Sequence, residues 1–204
     1  MKRFTVPALL VATACAAFSG SFAMAQDAPP AGQPAALASQ ADALKASKAA
    51  WEKARDEHKG NYTYSIERIH WNFGKRVGSS DTVIVVWDNK VVERRYRETR
   101  MQKPESYVPG QVLKNSVVVQ KWIEKGDGLG KNAGGDAPVT LDDLYARTEK
   151  LVAAYDAKHN KFETLNLHLG KDGLLKAAYI YNRMMADDTP SEGVLVSTLT
   201  FTRP

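Results

Sequence analysis

The chain has 204 residues, with 28 Lys plus Arg against 23 Asp plus Glu, and one cysteine, Cys15. A net charge of +5 is mild and does not imply a nucleic-acid binder. A single cysteine excludes a disulfide framework, a thioredoxin-type pair and a thiolate zinc site together.

The chain opens on Met1-Lys2-Arg3, then runs from Phe4 to Phe22 without a charge and reaches Ala23-Met24-Ala25. A cationic start, an apolar run and a small-x-small triplet are what a signal peptidase reads, so cleavage after Ala25 is expected. The run is rich in Ala, Ser, Thr and Gly, which transfer weakly into lipid, and a retained anchor is disfavoured. Ala12-Thr13-Ala14-Cys15 lacks the leading Leu of a lipidation box, so an ordinary signal is preferred over a lipoprotein. Its removal takes two basic residues and the only cysteine, leaving a mature chain of charge +3 with no thiol. The expected location is periplasmic or secreted, with no transmembrane segment after cleavage.

Residues 26–38 hold Pro29, Pro30, Pro34 and Gly32 and read as a disordered linker. A single domain is expected over residues 39–204. Ser39 is a candidate N-cap for a helix from Gln40 to His58, anchored by Leu44 and Trp51 and stopped at Gly60. Tyr62, Tyr64 and Ile66 alternate as on a strand, and Ile69, Trp71 and Phe73 continue with the opposite parity. That change of phase predicts a bulge at Glu67-Arg68. Gly74 to Ser80 reads as a turn, and Thr82 to Trp87 as a short, apolar central strand. After Asp88-Asn89-Lys90, Val91 to Arg100 reads as a charged strand, and Ser116 to Ile123 as another.

Gly126 to Gly135 is glycine-rich and is expected to be mobile. Thr140 caps a second helix, with Asp142 and Asp143 at the positive end of its dipole. Leu141, Leu144, Tyr145, Thr148, Leu151, Val152 and Tyr155 form its apolar face. Leu165, Leu167 and Leu169 alternate on a strand, Asp172-Gly173 turns it, and Leu174 to Met184 returns. A last strand, Gly193 to Thr202, turns Leu195, Leu199 and Phe201 inward. Segregated runs of strands argue for an α+β fold: a mainly antiparallel sheet of six to seven strands with two helices packed on it.

Trp51 in the first helix, Tyr62-Thr63-Tyr64, Val91-Val92 after a turn, Thr140-Leu141-Asp142-Asp143-Leu144 and the hairpin pattern from Leu165 to Ile180 together resemble a bacterial domain-of-unknown-function family, number sixty-one seventy-four in that series. The resemblance covers most of residues 51–201, interrupted at 101–138. It implies an exported protein or lipoprotein and supplies no activity and no catalytic residues. Many family members carry cysteines just after the Tyr-x-Tyr; this chain has none there, so no disulfide role carries over.

The candidate binding residues are Arg94, Arg95, Arg97, Arg100 and Trp122. Arg presents a planar fork suited to carboxylate and phosphate groups, and a tryptophan beside a loop can anchor a partner. Alternation puts Glu93, Arg95 and Arg97 on one face, and Arg94, Tyr96, Glu98 and Arg100 on the other. The competing reading is an edge strand whose charge blocks aggregation. His58, His70, His159 and His168 lack paired metal-ligand spacing, and Asp127, Asn132 and Asp136 do not match a calcium loop. Glu67, Glu93 and Glu124 are carboxylates without a placed partner, and no nucleophile elbow or phosphate loop is present. No catalytic residue, metal or cofactor is assigned. The expected function is a non-catalytic binding module of the cell envelope, its partner another envelope protein or an anionic envelope component. A carrier of a small apolar ligand and a hydrolase with an unrecognised site are the alternatives.

Overall fold

The computed structural model describes residues 33–72, 75–102, 115–158, 162–182, 184 and 192–202. The cleavage site, Phe73 and His159 lie outside them. In chain order the elements are α1 (Gln33–Glu57), β1 (Tyr62–Asn72), β2 (Lys75–Trp87), β3 (Lys90–Met101), β4 (Ser116–Lys125), a 3-10 turn (Gly126–Gly128), α2 (Leu141–Lys158), β5 (Glu163–Leu169), β6 (Leu175–Asn182), β7 (Glu192–Leu195) and β8 (Thr198–Phe201). The fold is α+β with antiparallel pairing throughout: a five-stranded sheet in the order β4-β3-β2-β1-β8 and a three-stranded sheet in the order β5-β6-β7.

The expected last strand is two strands in two sheets. The Val196 amide bonds the Lys176 carbonyl at 2.7 Å, and the next amide, Ser197, bonds the Ser65 carbonyl at 2.8 Å. The chain therefore runs along β6, turns, and runs along β1. Val194 and Val196 are the buried side chains, while Leu195, Leu199 and Phe201 are half-buried.

α1 starts at Gln33, inside the stretch read as linker. Ala35, Ala36, Leu37 and Ala38 are strong helix formers, and a proline is tolerated in the first turn, where its missing N–H would have no helical acceptor. The helix ends with Lys59 at φ 53° and Gly60 at φ 67°, the Gly60 amide returning to the Arg55 carbonyl at 2.8 Å. A Cβ at Gly60 would lie 2.3 Å from Asn89 Oδ1, so the close approach of the β2–β3 turn requires glycine there. That turn, Asp88-Asn89, has both residues at positive φ, the geometry a two-residue hairpin favours.

All seven residues read as the apolar face of α2 are buried. Its N-terminus is capped reciprocally: Asp143 N donates to Thr140 Oγ1 at 3.2 Å, and Thr140 N donates to Asp143 Oδ2 at 2.9 Å. Trp51 from α1, fully buried, ties the layers together. Its ring meets Tyr62 edge-on at 4.8 Å and stacks on Tyr145 and Phe201 at 6.3 and 6.2 Å. The Tyr62 hydroxyl accepts the Leu141 amide at 3.0 Å, and the Tyr64 hydroxyl donates to the Val139 carbonyl at 2.6 Å. The sheet thus grips the start of α2 through two buried phenols.

No bulge sits at Glu67-Arg68. β1 pairs with β2 in unbroken register from Tyr62 to His70, and the irregularity falls between His70 and Trp71. Tyr62, Tyr64 and Ile66 face the helices, and Ile69 and Trp71 lie on the opposite face, 45% and 63% exposed. The parity change marks the point where β1 leaves the covered core and its apolar residues switch to the open side. β2 likewise begins at Lys75, so most of the segment read as a turn is strand.

Candidate functional site

β3 is flanked by β2 and β4, so it is an interior strand and its charge does not guard an edge; β4 is the edge. The alternation read for β3 divides the candidate arginines between two environments.

On the helix-facing side, Arg94 is buried. Its Nε lies 2.8 Å from Glu124 Oε2, and its two terminal nitrogens donate to the Asp136 and Asn132 carbonyls at 3.0 and 3.1 Å. The guanidinium lies 4.6 Å from the centroid of the Trp122 ring, which stacks on Tyr96 at 5.1 Å. Glu124 also accepts the Gly130 and Asn132 amides. These donors hold its carboxyl at about 2, below the usual carboxylate range, with the Arg94 hydrogen bond the largest cause. The glycine-rich segment read as mobile is therefore pinned over Tyr96 and Trp122. At Gly135, with φ 72°, a Cβ would meet Tyr96 and Thr82 at 3.0 and 3.2 Å. Asp136 is bound by Arg68, and its amide donates to Thr82 Oγ1 at 3.0 Å. Trp122 is half-buried beneath this segment, its Nε1 without a hydrogen-bond partner. Arg100 shares this face of the sheet, exposed and paired with Glu98 at 3.2 Å.

On the other side, Arg95 and Arg97 are exposed. Cross-strand register builds this face in rows running from β1 to β4. The first is Thr63, Val85, Glu93, Lys125; the second is Ser65, Val83, Arg95, Ile123; the third is Glu67, Asp81, Arg97, Lys121; the fourth is Ile69, Ser79, Thr99, Val118. A groove of about 390 Å³ runs over it, lined by Val83 and Ile123, by the basic Arg95, Arg97, Lys121 and Lys125, and by the acidic Asp81 and Glu93. Glu93 is clamped by Arg95 and by Lys125 at 2.7 Å, and the Lys125 bond leads in holding its carboxyl below the ordinary range. Arg97 and Lys121 stand directly opposite one another with no carboxylate in ion-pair reach among the described residues. The Asp81 carboxyl is pushed up by burial first and by neighbouring Glu67 second.

The remaining candidates are scattered. His58 stacks on Phe201 at 4.5 Å, His70 bonds Ser80 at 3.1 Å, and His168 stacks on Tyr179 at 6.0 Å. Among the described residues, no three His, Cys, Asp or Glu side chains group as metal ligands would. No described helix is long and apolar enough to cross a membrane.

Sequence reasoning missed Val83, Lys121, Ile123 and Lys125 as members of a shared face. The signal was present: Val83 and Val85 give β2 apolar residues on both sides, which expects cover on both. Among the described residues only the helix-facing side has it; Val83 and Val85 stay half-buried and Ile123 is 55% exposed. Comparison with known proteins finds no family model that matches the chain, no matching curated protein and no matching solved structure.

Proposed function

We propose that this chain is an exported, non-catalytic interaction module of the cell envelope that docks a protein partner on the face of its five-stranded sheet opposite the helices. The observation that carries the reading is the composition of that face. On that face the apolar Val83 and Val85 of β2 and Ile123 of β4 stand among charged side chains, with Arg95 of β3 between Val83 and Ile123. Exposed apolar side chains interleaved with arginine are a composition suited to docking a partner. Arg95 and Arg97 belong to this surface, while Arg94 fixes the 126–136 segment and Trp122 lies under it. The cationic start, apolar run and Ala23-Met24-Ala25, with the resemblance to the exported bacterial family, support export.

The carrier reading needs space between sheet and helices, and there Trp51, Tyr62 and Tyr145 interlock at 0–1% exposure. Of the three carboxylates the hydrolase reading offers, Glu93 and Glu124 are committed to ion pairs, and Glu67 stands beside Asp81 with no histidine or hydroxyl nucleophile bonded to either carboxylate among the described residues.

A photo-crosslinker at Ile123, used in the protein's own envelope extract at low and high salt, tests the reading. A dominant protein adduct is expected that disappears when Arg95 and Arg97 become Ala, and a crosslinker at exposed Glu149 should not give it. No adduct at Ile123 at either salt would remove the support for docking on this face.

A further inference from the structure

The third row of the open face is ordered by charge. Glu67 and Asp81 occupy β1 and β2, and Arg97 and Lys121 occupy β3 and β4. Like charges stand side by side at both ends, an arrangement that costs stability on an isolated sheet. A uniformly acidic partner would satisfy the β3–β4 half and be repelled by the β1–β2 half. The row is instead complementary to its own reverse.

We propose that the partner of this face is a second copy of the same chain, packed sheet against sheet about a twofold axis that runs along the strands between β2 and β3. This deepens the docking reading and rests on it. Such an axis keeps each row in place and reverses its direction. Glu67 then meets Lys121 of the second copy, Asp81 meets its Arg97, and the reciprocal contacts make four charge pairs along one row. The fourth row follows the same rule: Ile69 meets Val118 of the second copy, and Ser79 meets its Thr99. Ile69 and Val118 are 45% and 48% exposed in the single chain, so this contact gives two outlying apolar side chains each other as cover. In the second row Val83 lies under the aliphatic stem of Arg95 of the second copy, a surface arginine stems cover well. Four strands at about 4.8 Å spacing and four rows at about 6.7 Å give on the order of 500 Å² per copy, near the lower limit of a specific interface.

The test is sedimentation equilibrium of the purified protein at low and high ionic strength, with two charge-uniform variants. Glu67→Lys with Asp81→Lys makes the row wholly positive; Arg97→Glu with Lys121→Glu makes it wholly negative. Wild type is expected to dimerise, with a dissociation constant raised about tenfold by ~0.5 M salt. Each double variant alone is expected to be monomeric, and an equal mixture of the two to dimerise again. Val118→Asp, at an exposed position, gives an independent loss of the dimer should a double variant not fold. Wild type that stays monomeric at about 100 µM in low salt overturns the proposal. So does a dimer indifferent to both double variants and to Val118→Asp. A monomer whose Ile123 crosslinks to a different protein overturns self-pairing alone; a monomer with no adduct overturns the docking reading as well.

Discussion

Arg94 and Glu124, opposite one another on β3 and β4, form an ion pair whose two side chains are 4% and 2% exposed. Two charges withdrawn from water are costly unless their remaining donors and acceptors are filled. Here they are filled by backbone: Gly130 and Asn132 amides on the carboxylate, Asn132 and Asp136 carbonyls on the guanidinium. The pair is thus a clasp that fixes a segment of five glycines whose apolar side chains are only Leu129 and Ala133.

Breaking the clasp is expected to be expensive and local. Arg94→Ala leaves a buried carboxylate without its cation and should cost about 3–5 kcal/mol by chemical denaturation. The 126–136 segment should open with it, since both ends of its hydrogen bonding depend on this pair. Limited trypsin digestion checks this: cleavage after Lys131 should be slow in wild type and fast in Arg94→Ala. Equal cleavage rates would show that the segment is held by something else.

Acid should undo the same clasp. The Glu124 carboxyl is held at about 2, below its value in an unfolded chain, so the folded state binds its proton less readily. The stabilisation is complete above the unfolded carboxylate value of about 4.3 and is lost as pH falls from there towards the folded value. The stability difference between wild type and Glu124→Gln should shrink over that window. Taking the difference removes the parallel contribution of Glu93, whose carboxyl is also lowered. A difference that stays constant down to pH 2 would contradict the assigned role of Glu124.

Tyr62→Phe should destabilise the chain by about 1–3 kcal/mol without moving the fold, because it leaves the buried Leu141 amide without an acceptor. The loss should appear in hydrogen exchange as weakened protection of that amide and of the first turn of α2. Tyr64→Phe removes a donor to the Val139 carbonyl and leaves that amide bonded, so protection at Leu141 should survive in it. Two equal patterns would mean that the phenols act only through their rings.

Much of the fold is legible in the chain because it is written in local periodicity. The α2 face is read without error, since seven side chains at helical spacing have one way to be buried together. The Asp88-Asn89 and Asp172-Gly173 turns are legible from residues that tolerate positive φ; Asp88, Asn89 and Gly173 adopt it. Misreadings occur where a neighbour supplies the deciding force. The phase change in β1 looks like a bulge because alternation names two faces without saying which is covered. The 126–136 segment looks mobile because glycine count measures chain freedom, whereas its order comes from one carboxylate six or more residues earlier and one arginine on another strand.

The sequence by itself determined the α+β class, the two helices, most strand centres and the alternation that divides Arg95 and Arg97 from Arg94 and Arg100. These depend on interactions within a few residues, where backbone geometry fixes which side chains share a face. Tertiary structure decided which face the helices cover, that β3 is interior, that Arg94 is a clasp, and that Glu67, Asp81, Arg97 and Lys121 form one row. Strand order and register bring together residues up to 54 positions apart, and the pairing that does so is a property of the assembled sheet.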